Sequence, residues 1–253
     1  MKQELQYLRD ELNQMLQLHS EYANKTINMV LLIWGGALVF FGRGEIKFTE
    51  ISLESILLYF MMATIFFVSN LILYYTARRC YNNTDAMSKL GAYIAVFYEK
   101  RPSKTVKVGE NLCWELATFE MMALGWEEKS PYKRNVEYFA LTLVSLVLMS
   151  FLLVPLVFNI FVKGGEVQRA CIIASLICVV YVAISIRWIC EIPKYTSSRD
   201  NNSMKVRHLK AFIQYALYTG HYTQEELKDR LGDIWDLIDV KIPITWKKAK
   251  KNN

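Results

Sequence analysis

Residues 140–161 read ALTLVSLVLMSFLLVPLVFNIF, 22 positions without a single charged side chain. A helix on the surface of a soluble protein keeps one face polar, and this stretch has no such face to offer to water. With its flanks it extends from Tyr138 to Val162, 25 residues, against the roughly 20 that carry a helix across about 30 Å of hydrocarbon. The segment therefore reads as a membrane span.

Working outward, three further charge-free stretches appear: Thr26–Gly42, Ser55–Ala77 and Ala170–Ile186, of 17, 23 and 17 residues. Each is long enough to cross. The first is preceded by 25 largely polar residues and followed by no small-residue cleavage pattern, so it reads as a retained span and not as a signal peptide.

Orientation follows from Lys and Arg. The short loops 43–54 and 163–169 carry four between them, whereas residues 1–25, 78–137 and 187–253 together carry 26. The basic side is the cytoplasmic one, which places both termini and the central segment in the cytoplasm. The net charge of +6 belongs to that side, and anionic lipid headgroups account for it without a nucleic-acid partner. Cys80, Cys113 and Cys190 fall on the same side, Cys171 and Cys178 lie within the fourth span, and neither outer loop holds a cysteine. No disulfide framework is expected. No Cys/His spacing suits zinc, and no metal or cofactor is expected.

The expected fold is thus an all-α membrane protein: a cytoplasmic amphipathic helix (1–25), a first transmembrane hairpin (26–77), a cytoplasmic helical segment (78–137), a second hairpin (138–186) and a cytoplasmic helical tail (187–253). It reads as a multi-pass membrane protein with both termini cytoplasmic and membrane lipid as a partner.

In the N-terminal segment Leu5, Leu8, Leu12, Met15, His19 and Tyr22 alternate spacings of three and four, one apolar seam on a helix that runs into the first span. The seam bears two readings, packing on the protein's own cytoplasmic part or a coiled-coil contact between subunits. In the central segment a helix is expected from an N-cap at Thr84, with Met87, Leu90, Ile94 and Phe97 as its stripe and Pro102 beyond its end. A second is expected in GENLCWELATFEMMALG, residues 109–125.

Tyr98 and Trp114, with Lys100, Arg101, Lys104 and Lys107 nearby in sequence, form the candidate binding group. Aromatic rings and cations together suit lipid headgroups, or an anionic ligand with Glu99, Glu110, Glu115 and Glu120 as counter-charges. The tail shows a stripe Val206, Leu209, Ile213, Leu217 ending at Gly220, then a capping box from Thr223 to Glu226 ahead of Leu227, Leu231, Ile234 and Ile238. This pattern reads as a helix pair packing on the central segment.

No Asp, Glu, Lys, Arg or His interrupts any span, which argues against a proton relay or coupled transport. Cys171, Ser175, Cys178, Val182 and Ser185 form a ridge of mostly small residues on the fourth span, suited to close helix packing within the chain or between subunits. Asn70, Thr142 and Ser145 suit hydrogen bonds between helices or to backbone carbonyls, or the lining of a narrow pore in an oligomer. There is no GxSxG elbow, HExxH helix or P-loop, and Arg199 and His208 are too far apart for an RNase of the HEPN type. No catalytic residue is nominated, and the chain is not expected to be an enzyme.

An N-terminal cytoplasmic helix feeding straight into a tight hairpin, MKQELQYLRDELNQMLQLHSEYANKTINMVLLIWGGALVFFG through LILYYTARR, resembles the small prokaryotic membrane effectors of the SLATT type. The layout also resembles four-span accessory proteins of antiphage and CRISPR systems. The second hairpin and the long tail depart from the two-span pattern. The resemblance implies an oligomeric effector that disturbs the inner membrane when a cytoplasmic sensor signals infection. The rival readings are a membrane scaffold that recruits a soluble cytoplasmic partner and an enzyme acting on lipid headgroups.

Overall fold

The computed structural model describes residues 2–42, 51–99, 133–196, 198–232 and 234–235, and all regular structure among them is helical. The elements are α1 (Lys2–Gly42), α2 (Leu53–Phe97), α3 (Lys133–Val162), α4 (Gly165–Thr196), α5 (Ser198–Thr219) and α6 (Gln224–Leu231). Among the described residues, three helices are long and apolar enough to cross a membrane: α2, α3 over Glu137–Val162, and α4 over Gly165–Pro193. The charge-free stretch Thr26–Gly42 forms the C-terminal part of α1 and is not among the three.

One expected boundary is absent. Thr84 does not start a helix: α2 runs unbroken for 45 residues, through Thr84, to Phe97. Asn82, Asn83, Thr84 and Asp85 are weak helix formers, but propensity is a small term of a few tenths of a kcal/mol per residue and tertiary packing overrides it. No proline interrupts residues 78–97, the Thr84 carbonyl accepts from the Ser88 hydroxyl at 2.7 Å, and burial of Ala92, Ile94, Ala95 and Val96 holds the final turns in place.

The chain divides into two compact units. The first takes residues 1–18, 82–131 and 198–253. Its core joins Ala92, Ala95 and Val96 of α2 to Leu209, Ile213 and Ala216 of α5 and to Leu227 and Leu231 of α6. The turn between α5 and α6 needs Gly220, whose φ of +71° strains any residue with a Cβ. Thr223 then caps α6 with a complete capping box: its hydroxyl accepts from the Glu226 amide at 3.2 Å, and the Glu226 carboxylate accepts from the Thr223 amide at 2.7 Å.

The second unit takes residues 19–81 and 132–197. The α3–α4 hairpin turns in two residues, Lys163 and Gly164, with Gly165 at φ +68°, and Gln168 Nε2 donates to the Ile160 carbonyl at 2.9 Å, satisfying a helix-end acceptor. The burial pattern is inverted relative to a water-soluble bundle. Ser69, Asn70, Thr142, Ser145, Asn159, Ser175 and Ser185 are buried, while Leu32, Phe151, Val154, Phe161, Ile173 and Leu176 are exposed. Apolar side chains outside and mostly hydrogen-bonded polar ones inside match hydrocarbon as the solvent.

Candidate functional site

Two clusters concentrate the described chemistry. In the second unit, aromatic residues recur every seven positions on two helices: Phe60, Phe67, Tyr74 and Tyr81 on α2, and Tyr181, Trp188 and Tyr195 on α4. A seven-residue repeat keeps one helix edge against its neighbour, and the rings interleave into a ladder. Centroid distances along it are 6.4 Å for Phe60–Tyr181, 4.1 Å for Phe67–Tyr181, 5.3 Å for Phe67–Trp188, 5.5 Å for Tyr74–Trp188, 6.1 Å for Tyr74–Tyr195 and 5.5 Å for Tyr81–Tyr195. Offset stacks and edge contacts in this range add to plain burial.

The ladder carries an acid. Tyr74 donates its phenol to one oxygen of Glu191 at 2.5 Å, and Arg187 Nε donates to the other at 3.3 Å. Glu191 lies beyond the charge-free stretch of α4, so Tyr74 reaches from its apolar helix to the charged turn that follows that stretch. Nearby on α2, the guanidinium of Arg79 covers the ring of Tyr22 at 4.1 Å.

In the first unit the C-terminal end of α2 is fastened from both sides. The Glu99 carboxylate, 2% exposed, pairs with Arg9 of α1 at 3.2 Å. Carbonyls at and just past the end of α2 accept from other elements: Phe97 O, orphaned by the helix end, from the Tyr222 phenol at 3.3 Å, and Glu99 O from Arg230 at 2.8 Å. Arg230 also covers the Tyr222 ring at 4.7 Å. On the adjoining stretch of α2, Asp85 meets His208 at 2.8 Å and Arg207 at 3.4 Å from α5. These carboxylates are engaged in joining helices.

Of the candidate binding group, Tyr98 is at the end of α2, partly buried. Its hydrogen bond to the Glu4 carboxylate, reinforced by partial burial, pushes the phenol well above the usual tyrosine range. Lys100, Arg101, Lys104, Lys107 and Trp114 lie outside the described residues, as does the helix expected at 109–125.

Of the α4 ridge, Cys171, Ser175, Cys178 and Ser185 are buried within one chain and Val182 is partly buried. Cys171 and Cys178 pack with Ile56, Tyr59 and Ala63 of α2 and Leu156 of α3. The Ser185 hydroxyl receives the Asn70 amide at 3.1 Å. Ser145 donates to the Phe66 carbonyl at 3.0 Å and Thr142 to the Tyr138 carbonyl at 2.7 Å. Among the described residues, no group of three or more His, Cys, Asp or Glu is placed to hold a metal ion.

The aromatic ladder and the Glu99 junction were not anticipated from sequence. The seven-residue repeat of aromatic positions on two apolar helices was the available signal for the first. No local pattern announced the second, since its members are about 90 and 131 positions apart. The chain matches no protein-family model, no curated protein and no solved structure.

Proposed function

We propose that the chain is a four-span protein of a bacterial inner membrane, with both termini and the first unit in the cytoplasm, acting as an oligomeric effector or sensor of a defence-type system. A signal received by the cytoplasmic unit changes the membrane bundle. The observation that carries this reading is the continuity of α2, one helix that supplies Phe66 and Leu73 to one core and Ala92, Ala95 and Val96 to the other. At 1.5 Å per residue it is about 68 Å long, roughly twice the hydrocarbon thickness. The two cores therefore share one unbroken helix.

The fourth span is supported by the Thr26–Gly42 part of α1, where Val30, Trp34 and Ala37 are buried and Leu31, Leu32, Leu38 and Val39 are exposed. The cytoplasmic placement is supported by the 26 Lys and Arg on one side against four on the other. The defence role rests on the resemblance in layout to SLATT-type effectors.

A second reading, a scaffold that holds a soluble partner at the membrane, is favoured by the buried polar side chains: bonds such as Asn70 to Ser185 and Ser145 to Phe66 O tie them within one chain, away from any face that would line a shared pore. The two readings separate in cells carrying the protein with its neighbouring genes, followed with a potential-sensitive dye during infection. The effector reading predicts depolarisation with the native protein and none after Lys100, Arg101, Lys104 and Lys107 are replaced by Gln. A native protein that never alters the potential, yet retains a soluble partner in the membrane fraction, overturns it in favour of the scaffold.

A further inference from the structure

Two threonines mark where the apolar parts of α1 and α2 end. Thr26 opens the charge-free stretch of α1, Thr76 stands one residue from the close of that of α2, and their hydroxyls meet at 3.4 Å. This contact sets the level of the two helices. One turn outward on each, at Tyr22 and Arg79, the guanidinium carbon of Arg79 lies 4.1 Å from the centre of the Tyr22 ring. A turn rises about 5.4 Å, and the headgroup layer is about 5–7 Å deep on each side of the hydrocarbon. With the apolar stretches in hydrocarbon, the stacked pair lies at headgroup depth.

Stacking occupies only the face of the guanidinium, whose N–H donors lie in its plane. Among the described residues no carboxylate pairs with Arg79 or with its neighbour Arg78, and both are exposed. The other two cations flanking the charge-free stretches at this end are taken, Lys25 by Glu21 at 3.1 Å and Arg187 by Glu191 at 3.3 Å. The pair therefore offers an oriented, unused edge of N–H groups beside a second uncompensated charge. A matching ligand presents two coplanar oxygens to that edge, is negative overall, and resides in the headgroup layer.

We infer that Arg79, stacked on Tyr22, binds the phosphate of an anionic phospholipid, its N–H edge donating to the two unesterified oxygens while Arg78 adds to the local positive field. Tyr22 is a positioning residue: its ring holds the guanidinium in place, so less rotamer freedom is lost on binding. A zwitterionic headgroup brings its own ammonium and leaves the two arginines less well balanced. The site consists of residues other than the binding group nominated between Tyr98 and Trp114. It rests on the reading that α1 and α2 cross a membrane and is independent of the defence role.

The test uses the full chain in a non-ionic detergent, with retention of added phosphatidylglycerol and phosphatidylcholine followed by native mass spectrometry. The native protein is expected to retain phosphatidylglycerol preferentially. Arg79→Gln should weaken that retention about fivefold, the equivalent of the roughly 1 kcal/mol of one cation near anionic lipid. Arg79→Lys should restore it only in part, because an ammonium lacks the planar fork, and Tyr22→Leu should weaken it with every charge in place. Arg169→Gln, which removes an exposed arginine from the other end of α4, should leave the preference unchanged. Equal retention by native protein and Arg79→Gln overturns the site, and an equal loss in Arg169→Gln reduces it to bulk charge and overturns it too. Displacement of the lipid by inorganic phosphate at similar concentration overturns the lipid as occupant. A chain recovered in the aqueous fraction without detergent overturns the membrane reading together with the site.

Discussion

Tyr74 on α2 donates its phenol to the Glu191 carboxylate on α4, and Glu191 holds Arg187 with its other oxygen. One acid therefore joins the aromatic ladder between two apolar helices to the charged turn that follows the charge-free stretch of α4. A phenol bonded to a carboxylate is of the charge-assisted kind, stronger than a neutral pair.

Glu191→Gln and Tyr74→Phe are each expected to lower stability by about 1–2 kcal/mol. The effects should not add, because either change removes the same bond. Unfolding of the detergent-solubilised single and double variants measures the coupling, and strictly additive losses would show that the bond contributes nothing.

The ladder makes its own prediction. Phe67→Leu combined with Trp188→Leu should show a coupling of about 0.5–1.5 kcal/mol beyond lost area, whereas Phe151→Leu, at a position 68% exposed, should leave the melting temperature nearly unchanged. Thermal melts of the native protein, the two single variants, the double variant and Phe151→Leu check both halves.

The spans were legible because hydrocarbon imposes a local rule, the absence of charge over some 20 positions, and α2, α3 and α4 follow it. The α5–α6 pair was legible for a similar reason: Leu209 and Ile213 keep a helical period, Gly220 stops the helix, and Thr223 with Glu226 forms a contiguous capping box. Thr84 misled because a good N-cap residue has the same local chemistry inside a long helix as at its start, and only the burial of Ala92 to Val96, a tertiary fact, decides between them. The junction at Glu99 was beyond local reading, since Arg9 and Arg230 reach it from opposite ends of the chain.

Arg9→Gln removes the cation from a carboxylate that is 2% exposed, and Arg9 itself is 43% exposed, so part of the pair's worth is screened by water. A loss of roughly 1–3 kcal/mol is expected, with Arg9→Lys recovering part of it. Hydrogen exchange at the end of α2 should rise in Arg9→Gln; unchanged protection there would separate the ion pair from the stability of the junction.

The capping box of α6 predicts a pH response. The Thr223 amide, then its hydroxyl, hold the Glu226 carboxyl below the usual range, with Arg230 adding to the effect. A carboxyl depressed in the folded state contributes stability that is present above its unfolded value of about 4.3 and is lost as pH falls through the lower folded value. Amide protection in α6, measured relative to the intrinsic exchange rate at each pH, should therefore fall on acidification below the unfolded carboxyl value, and Glu226→Gln, which keeps a capping side chain, should flatten that dependence. An unchanged acid response in the variant would assign it to other groups.

The topology is tested most directly by labelling with an impermeant thiol reagent from outside intact cells, in a background with Cys190→Ser. The four-span account predicts that Phe48→Cys and Gly164→Cys are modified while Gln3→Cys and Val240→Cys are protected until the membrane is opened. Modification of Gln3→Cys together with Phe48→Cys would leave α1 uncrossed and contradict the account, and protection of Phe48→Cys with modification of Val240→Cys would invert it.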